Sequence, residues 1–515
     1  MENNEKKLLL QIRNLKQYFP VGKGRFVRAN DGITLDIYEG ETFGLVGESG
    51  CGKSTLGRSI LQLYKQTDGR TMYFGRPIDE IAPKYAHDTF ATLSKRRDQM
   101  HAAKAKYDAF RAEYDKLEGK ERYAKHAEMV HLRKEANDAR LDVTTLIGGL
   151  IVHPDLPVLE ALFVEQYKYS KELSIAVEKR TDLQLDVDDF TFALEKANKE
   201  GTATDKIVAK LAKAQAKLDE CLKGIDEIHK KIEVVSGKIA AERAKCVNLP
   251  GYDDYEADHS EGIDLARLRY SEVRKLRSDL QLIFQDPYSS LNPRMTVGQI
   301  IGEGMVAHKF FRKNDERMQE GVIKVMEECG LAPYFLHRYP HQFSGGQRQR
   351  IGIARSLALR PKFVVCDEAV SALDVSIQAQ IINLLQDLKE KQNLTYLFIT
   401  HDLSVVKYIS DRIGVMYLGN MVELGASDEI FAHPLHPYTE ALLNAIPTTD
   451  EDANKNPEIL EGDIPSPVNP PKGCKFHTRC KYCTEICTHV EPEFEEVRPN
   501  HFVACHHILE QVQEG

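Results

Sequence analysis

Apolar and polar positions change period repeatedly along this chain. Leu8 to Ile12 and Ile33 to Ile37 alternate in the manner of strands, flanking a Gly- and Arg-rich loop from Gly22 to Arg28. Thr42-Phe43-Gly44-Leu45-Val46 is a short apolar run suited to a buried strand, and Leu56 to Leu63 follows as a helix former. After Tyr73-Phe74-Gly75, and until about Gly262, Lys, Glu, Asp and Ala dominate and turn signals are few. Apolar residues there recur at spacings of three and four: Met100, Ala103, Tyr107, Phe110, Tyr114 and Leu117 early, then Val208, Leu211, Ala214, Leu218, Leu222, Ile225, Ile232 and Ile239. Two long helices joined along a narrow apolar seam, as an antiparallel hairpin or coiled coil, fit that pattern, with a more globular helical tip over Asp142 to Asp189 between them. His229 and Ser236 interrupt the later seam. Strand character resumes at Asp279 to Phe284, Phe363 to Asp367 and Thr395 to Thr400, with a helical run from Ile351 to Leu359. Strands and helices on both sides of a helical insertion predict an α/β protein.

Composition narrows the classes. A chain of 515 residues predicts two or more domains, and 42% hydrophobic residues suffices for packed cores. The net charge of -9 lends no support to a general nucleic-acid binder. The most apolar candidate for a membrane span, Leu146 to Val164, is interrupted by His153, Pro154, Asp155 and Pro157. Met1-Glu2-Asn3-Asn4-Glu5-Lys6-Lys7 lacks the basic-then-apolar plan of a secretory signal. The expectation is a cytoplasmic chain whose ten cysteines serve as thiols or metal ligands, not disulfides.

The chemistry starts at Gly47-Glu48-Ser49-Gly50-Cys51-Gly52-Lys53-Ser54-Thr55, which has the form G-x-x-x-x-G-K-[ST] between a strand and a helix. Glycines let the backbone approach a phosphate chain, and freed N–H groups at a helix N-terminus supply positive potential. Lys53 would reach the β- and γ-phosphates of a nucleoside triphosphate, and the Ser54 hydroxyl would join a Mg²⁺ shell. Phe19 either stacks on the base or packs under the sheet. Gln285, at a strand end, can coordinate Mg²⁺ and sense the attacking water. Ser344-Gly345-Gly346-Gln347 opens a helix and makes a second phosphate-binding surface, most economically a cap on the nucleotide held by another chain. Asp367 would hold Mg²⁺ through water, and Glu368 would orient or deprotonate the hydrolytic water. The loop Ser371 to Asp374 could touch a partner's site, and His401 at the end of the strand Thr395 to Thr400 could contact the γ-phosphate and hold the water with Glu368.

In this order, Gly47 to Thr55, Gln285, Ser344 to Gln347, Asp367-Glu368, Ser371 to Asp374 and His401 resemble the complete motif set of an ABC-transporter ATPase. Phe284 to Val297, Tyr339-Pro340-His341-Gln342-Phe343 and His436-Pro437-Tyr438-Thr439 resemble more closely the oligopeptide/dipeptide importer ATPases, the F-type subunit more than the D-type. The resemblance covers about Leu8 to Gly75 and Leu265 to His507, and implies a P-loop NTPase: a RecA-like core, an antiparallel β subdomain and a helical signature subdomain. It predicts core segments at 1–76 and 263–440, a helical insertion at 77–262 and a proline-rich linker with a Cys-rich tail at 441–515. It further implies ATP and Mg²⁺ as ligands and a peripheral position on the cytoplasmic face of the membrane. The implied partners are a second homologous ATPase in a heterodimer, two permeases and an extracytoplasmic peptide-binding protein. Ala369 stands where the family usually has Pro, which removes no reactive group.

The tail carries Cys474, Cys480, Cys483, Cys487 and Cys505. The resemblance places Cys474, Cys480, Cys487 and Cys505 on a pattern that holds a [4Fe-4S] cluster in some members, with Cys483 extra. His477, His489, His506 and His507 keep zinc open, and a metal-free fold packed by buried thiols is the third reading. Two other functions stay in view: import of nickel or another small cargo, and a DNA-repair-type ABC ATPase with a coiled-coil insertion. Against the second, the insertion precedes Gln285, no Cys-x-x-Cys hook lies at its tip, and the His-Pro-Tyr-Thr segment with its cysteine tail belongs with the importers.

Overall fold

The computed structural model describes residues 6–22, 24–313, 315–445 and 462–509. They fold as two compact units, one made of Arg76–Ile263 together with Arg267–Lys275, and a larger one made of the remaining described residues.

Among the described residues two sheets form. Strands β1 (Leu8–Pro20), β2 (Phe26–Tyr38), β3 (Thr42–Val46), β4 (Asp68–Tyr73), β5 (Ile263–Asp264) and β6 (Leu280–Ile283) come first; β7 (Phe363–Asp367), β8 (Thr395–Ile399), β9 (Arg412–Tyr417), β10 (Asn420–Ala426), β11 (Glu495–Arg498) and β12 (His501–Val503) complete the set. The smaller sheet has the order β2-β1-β4-β5, and the main sheet β11-β12-β10-β9-β3-β8-β7-β6. β1 and β2 are longer than their alternation predicts: they pair antiparallel from Leu8↔Tyr38 to Pro20↔Phe26, so Phe26 to Arg28 of the expected Gly/Arg loop are strand while Gly22, Gly24 and Arg25 stay outside it. The pairs β6/β7, β7/β8, β8/β3 and β3/β9 are parallel, which brings the C-terminal ends of β3, β6, β7 and β8 to one edge. Every residue of β3, β7 and β8 is buried, as expected for parallel strands covered on both faces. The helix Lys53–Ile60 lies close over that sheet because Gly57 leaves room: a Cβ there would meet Val365 and Ile399. Helix Gly345–Leu357 packs through Ile351, Ile353, Ala354 and Leu357 into the core shared with Val364, Cys366, Tyr396 and Phe398. The tail is continuous with the larger unit, since β12 pairs antiparallel with β10 and β11 with β12.

The second unit departs from the expected single hairpin. Helices Leu93–Tyr114 and Gly119–Ile147 form one pair, and Leu156–Glu200 and Asp205–Cys246 form another. Asp142 to Asp189, expected as a globular tip, is instead the end of one helix, the 3-10 turn Gly148–Val152 and most of a 45-residue helix. Each stripe pairs with its sequence neighbour because a short connection costs little loop-closure entropy. Gly201, at φ 67, ends the longest helix in the left-handed conformation that suits glycine. The later seam holds in part: Ala214, Leu218, Ile225, Ile232 and Ile239 are buried, whereas Val208 and Leu222 are exposed, and Ser236 accepts a hydrogen bond from Gln166 Nε2 at 3.3 Å, which satisfies the polar interruption. Among the described residues no helix is long and apolar enough to cross a membrane.

Leu173, 2% exposed, packs with Ile225 and Ile232 in this hairpin. Leu173→Ala is expected to cost about 2–4 kcal/mol, read as a lower denaturation midpoint by circular dichroism; an unchanged midpoint contradicts the packing described.

Candidate nucleotide-binding site

Beyond Val46 the chain leaves the sheet and turns into the helix that starts at Lys53. Gly47, Gly50 and Gly52 take φ values of 147, 79 and 104, and a Cβ on Gly52 would overlap the Ala29 carbonyl oxygen. Lys53 is 4% exposed. Its Nζ donates to the carbonyl oxygens of Gly47 at 2.7 Å and Glu48 at 3.0 Å, so the loop closes around its own cation. A cavity of about 350 Å³ opens beside it. Of the sequence-predicted residues, Phe19, Ser49, Gly50, Gly52, Lys53, Ser54, Thr55, Gln285 and Glu368 line that cavity. Phe19 is a wall residue, edge-on to Tyr64 with centroids 5.3 Å apart.

Three strand ends supply the opposite side. Glu368 comes directly after β7 at φ 48, a left-handed conformation that is costly for a non-glycine residue. Its backbone N–H donates to Ile399 O at 3.0 Å, and its Oε2 accepts from Gln285 Nε2 at 2.5 Å. His401 Nδ1 lies 3.7 Å from Glu368 Oε1, with the His401 side chain 58% exposed. Asp367 is fully buried; Oδ2 pairs with Arg58 at 3.1 Å, and Oδ1 is buried with no hydrogen-bond partner. A buried carboxylate oxygen without a partner, one residue before the cavity-lining Glu368, is donor chemistry that suits a hydrated Mg²⁺.

Gly47, Asp367 and His401 adjoin the cavity without lining it, and Ser344, Gly345, Gly346, Gln347 and Asp374 are not among its lining residues. Ser344 caps the helix Gly345–Leu357 reciprocally with Gln347, at 3.4 and 3.2 Å. Gly346 packs against Ile377 of the helix that Asp374 precedes, so the two predicted partner-facing segments sit side by side.

Several contributors carry no motif. Arg28 and Ala29 of β2, Leu418, Gly419 and the tail residue Pro467 complete the cavity wall, and Arg58 holds Asp367. Only the folded sheet brings them here. The Glu48 amide donates to Tyr438 Oη at 2.9 Å, and the Glu48 carboxylate pairs with Arg479.

The tail thiols are all free. Cys474, Cys480, Cys487 and Cys505 line one pocket with His436, His477, His506 and His507, while Cys483 is exposed outside it. Burial pushes Cys474 up to about 12 and Cys505 up to about 11, and raises Cys480 as well. The open space is about 10 Å³, roughly one water, and among the described residues no group of three or more is placed to hold a metal ion. The expected iron–sulfur and zinc sites therefore find no support in this arrangement. His489, one of the zinc candidates, is not among the pocket's lining residues.

His436, 1% exposed, accepts from the Tyr438 N–H at 3.0 Å through Nδ1. Burial lowers its pKa to about 4, against the opposing pull of Glu423. The unfolded chain therefore binds a proton that the native one refuses between about pH 6.5 and 4. Stability is complete above that window and is expected to fall by about 3 kcal/mol across it, measured by thermal unfolding against pH. His436→Asn, which keeps a capping oxygen, should flatten that decline; an equal decline in both proteins contradicts the assignment.

Comparison with known proteins agrees with this geometry. A model of the ABC transporter family matches residues 30–150 and 249–371, and one described as "Oligopeptide/dipeptide transporter, C-terminal region" matches 422–487. The "Oligopeptide transport ATP-binding protein AppF" of Bacillus subtilis is 54% identical over 250 residues, 48% of this chain and 75% of that one. OppF of Salmonella typhimurium, with the same description, is 54% identical over 237 residues, covering 45% and 70%. The "Putative oligopeptide transport ATP-binding protein YkfD" of Bacillus subtilis is 34% identical over 500 residues, 97% of this chain and 95% of that one, so the likeness runs through the helical unit. The chain belongs to the ABC-transporter ATPases, in the family of oligopeptide transport ATP-binding proteins.

Proposed function

We propose that this protein is the ATP-hydrolysing subunit of an oligopeptide importer, and that the cavity beside Lys53 is where it holds ATP. The observation that carries this reading is the meeting of the Lys53 loop with Gln285 and Glu368 around one cavity. The triphosphate would take the Lys53 ammonium away from the Gly47 and Glu48 carbonyls and lie on the N–H groups at the start of the helix Lys53–Ile60. Ser54, Gln285 and Asp367 would hold Mg²⁺, which when bound neutralises charge on the β- and γ-phosphates. Glu368 accepts a proton from, or orients, the attacking water; the Gln285 amide fixes its Oε2, and His401 completes the water's surroundings. The γ-phosphoryl group passes to water as its bond to the β-phosphate oxygen breaks, giving ADP and inorganic phosphate, and no covalent intermediate on the protein is required.

Ser344 to Gln347 and Asp374 would close over the nucleotide of a second, homologous subunit in a heterodimer, a reading supported by their absence from the residues that line the chain's own cavity. The relatives are named oligopeptide transport ATP-binding proteins, which supports partners that carry the peptide; in this reading they are two permeases and an extracytoplasmic peptide-binding protein. With such partners the chain sits on the cytoplasmic face of the membrane, and among the described residues no helix is long and apolar enough to cross it. The segment Pro287 to Gly304 would pass closure to a permease helix. The segments 1–76 and 263–440 form the ATPase core in this reading, 77–262 the insertion and 441–515 the tail.

Glu368→Gln is expected to retain ATP binding while its turnover falls about 10²–10⁴-fold in a phosphate-release assay, and Lys53→Ala to lose binding. Undiminished hydrolysis by the Gln variant contradicts the assignment of Glu368.

For the tail we propose Cys474, Cys480, Cys487 and Cys505 as the place where a [4Fe-4S] cluster would be held, because these four fall on the family's cysteine pattern and Cys483 does not. The pocket has to widen to admit one. Anaerobically purified protein is then expected to carry about four iron and four sulfide per chain. Stoichiometric zinc, or neither metal, contradicts the cluster.

A further inference from the structure

The segment Cys474 to Cys480 faces two ways. Its terminal thiols line the tail pocket, while the cations between them reach the nucleotide side: Lys475 Nζ lies 3.1 Å from Asp31 Oδ2, and Arg479 reaches Glu48. The Arg479 fork is matched to the carboxylate, with Nη1 to Oε2 at 2.8 Å and Nη2 to Oε1 at 3.1 Å, and its side chain is only 5% exposed. Paired, planar bonds of this kind fix direction as well as charge.

Glu48 is the residue on which these contacts meet. Its carbonyl accepts from Lys53, its N–H donates to Tyr438, and its carboxylate takes both Arg479 bonds. Tyr438 is itself held by Phe476, 5.3 Å away between ring centroids, from the same tail segment. A carboxylate inside a loop that receives a triphosphate is electrostatically adverse: at this range an unpaired charge repels the ligand and is only partly screened. Arg479 cancels that charge and holds the Glu48 peptide in the position that shares Lys53.

We propose that Arg479 is a positioning residue of the ATP site: from the Cys-rich tail, it neutralises and orients Glu48 so that the phosphate loop accepts a triphosphate. This rests on the ATP assignment made above. It makes the tail part of the nucleotide-binding machinery.

The test is the affinity of the full-length protein for a non-hydrolysable Mg²⁺–ATP analogue, by equilibrium dialysis. Arg479→Ala is expected to weaken binding about tenfold, and Arg479→Lys, which keeps the charge and loses the fork, by about threefold. Glu48→Gln combined with Arg479→Ala removes the uncompensated charge and should recover most of the lost affinity, which a purely structural loss in the tail would not allow. Unchanged affinity in Arg479→Ala, or a double variant no better than Arg479→Ala, overturns the proposal. Lys53→Ala run alongside separates the two levels. Full affinity there overturns the ATP assignment itself, whereas lost affinity there with a wild-type Arg479→Ala overturns the role of Arg479 alone.

Discussion

A buried ammonium must find acceptors, and the site is organised around that need. Lys53 is almost inaccessible, and its Nζ finds the carbonyls of Gly47 and Glu48 in the loop that precedes it. An uncompensated charge at that depth would cost several kcal/mol, so the loop's left-handed glycines are held to a path that points carbonyls inward. Any ligand for this cavity has to offer Lys53 something better than two carbonyls. A phosphate oxygen does, because an anionic acceptor forms the stronger bond.

Sheet topology arranges the rest of the site. Parallel pairing of β6, β7, β8 and β3 delivers the residues just beyond each strand to one edge: Gln285 after β6, Glu368 after β7, His401 after β8 and the Lys53 loop after β3. Crevices at the carboxyl ends of such strands are where α/β proteins bind ligands. The tail joins the same sheet through β12 on β10, which puts Tyr438, Pro467 and Arg479 within reach of the loop and cavity.

What the sequence disclosed was local. The glycine-rich loop, the acids ending an apolar strand and the Ser344 helix start are short patterns whose chemistry is carried by adjacent residues, and the structure gathers Lys53, Gln285 and Glu368 as those patterns imply. Apolar stripes located two of the four long helices, Leu93–Tyr114 and Asp205–Cys246, but a stripe does not name its partner: the early and late seams each close on a sequence neighbour, giving two hairpins where one was expected. Arg58 and Arg479 were illegible for a different reason, as was the reach of Tyr438 from its His-Pro-Tyr-Thr segment to the phosphate loop. Each is an ordinary residue until tertiary contact pairs it with Asp367 or Glu48, across separations of hundreds of residues. The four tail thiols were visible as a cluster, whereas the width of the pocket between them depends on packing that spacing does not encode.

The most direct measurement of the central claim is a structure of the protein with a non-hydrolysable Mg²⁺–ATP analogue. The account predicts triphosphate density along Ser49 to Thr55, with the Lys53 ammonium moved from the Gly47 and Glu48 carbonyls onto phosphate oxygens and Gln285 and Glu368 facing the γ-phosphate. Density elsewhere, or a Lys53 still bound to its own loop beside an occupied cavity, would contradict it.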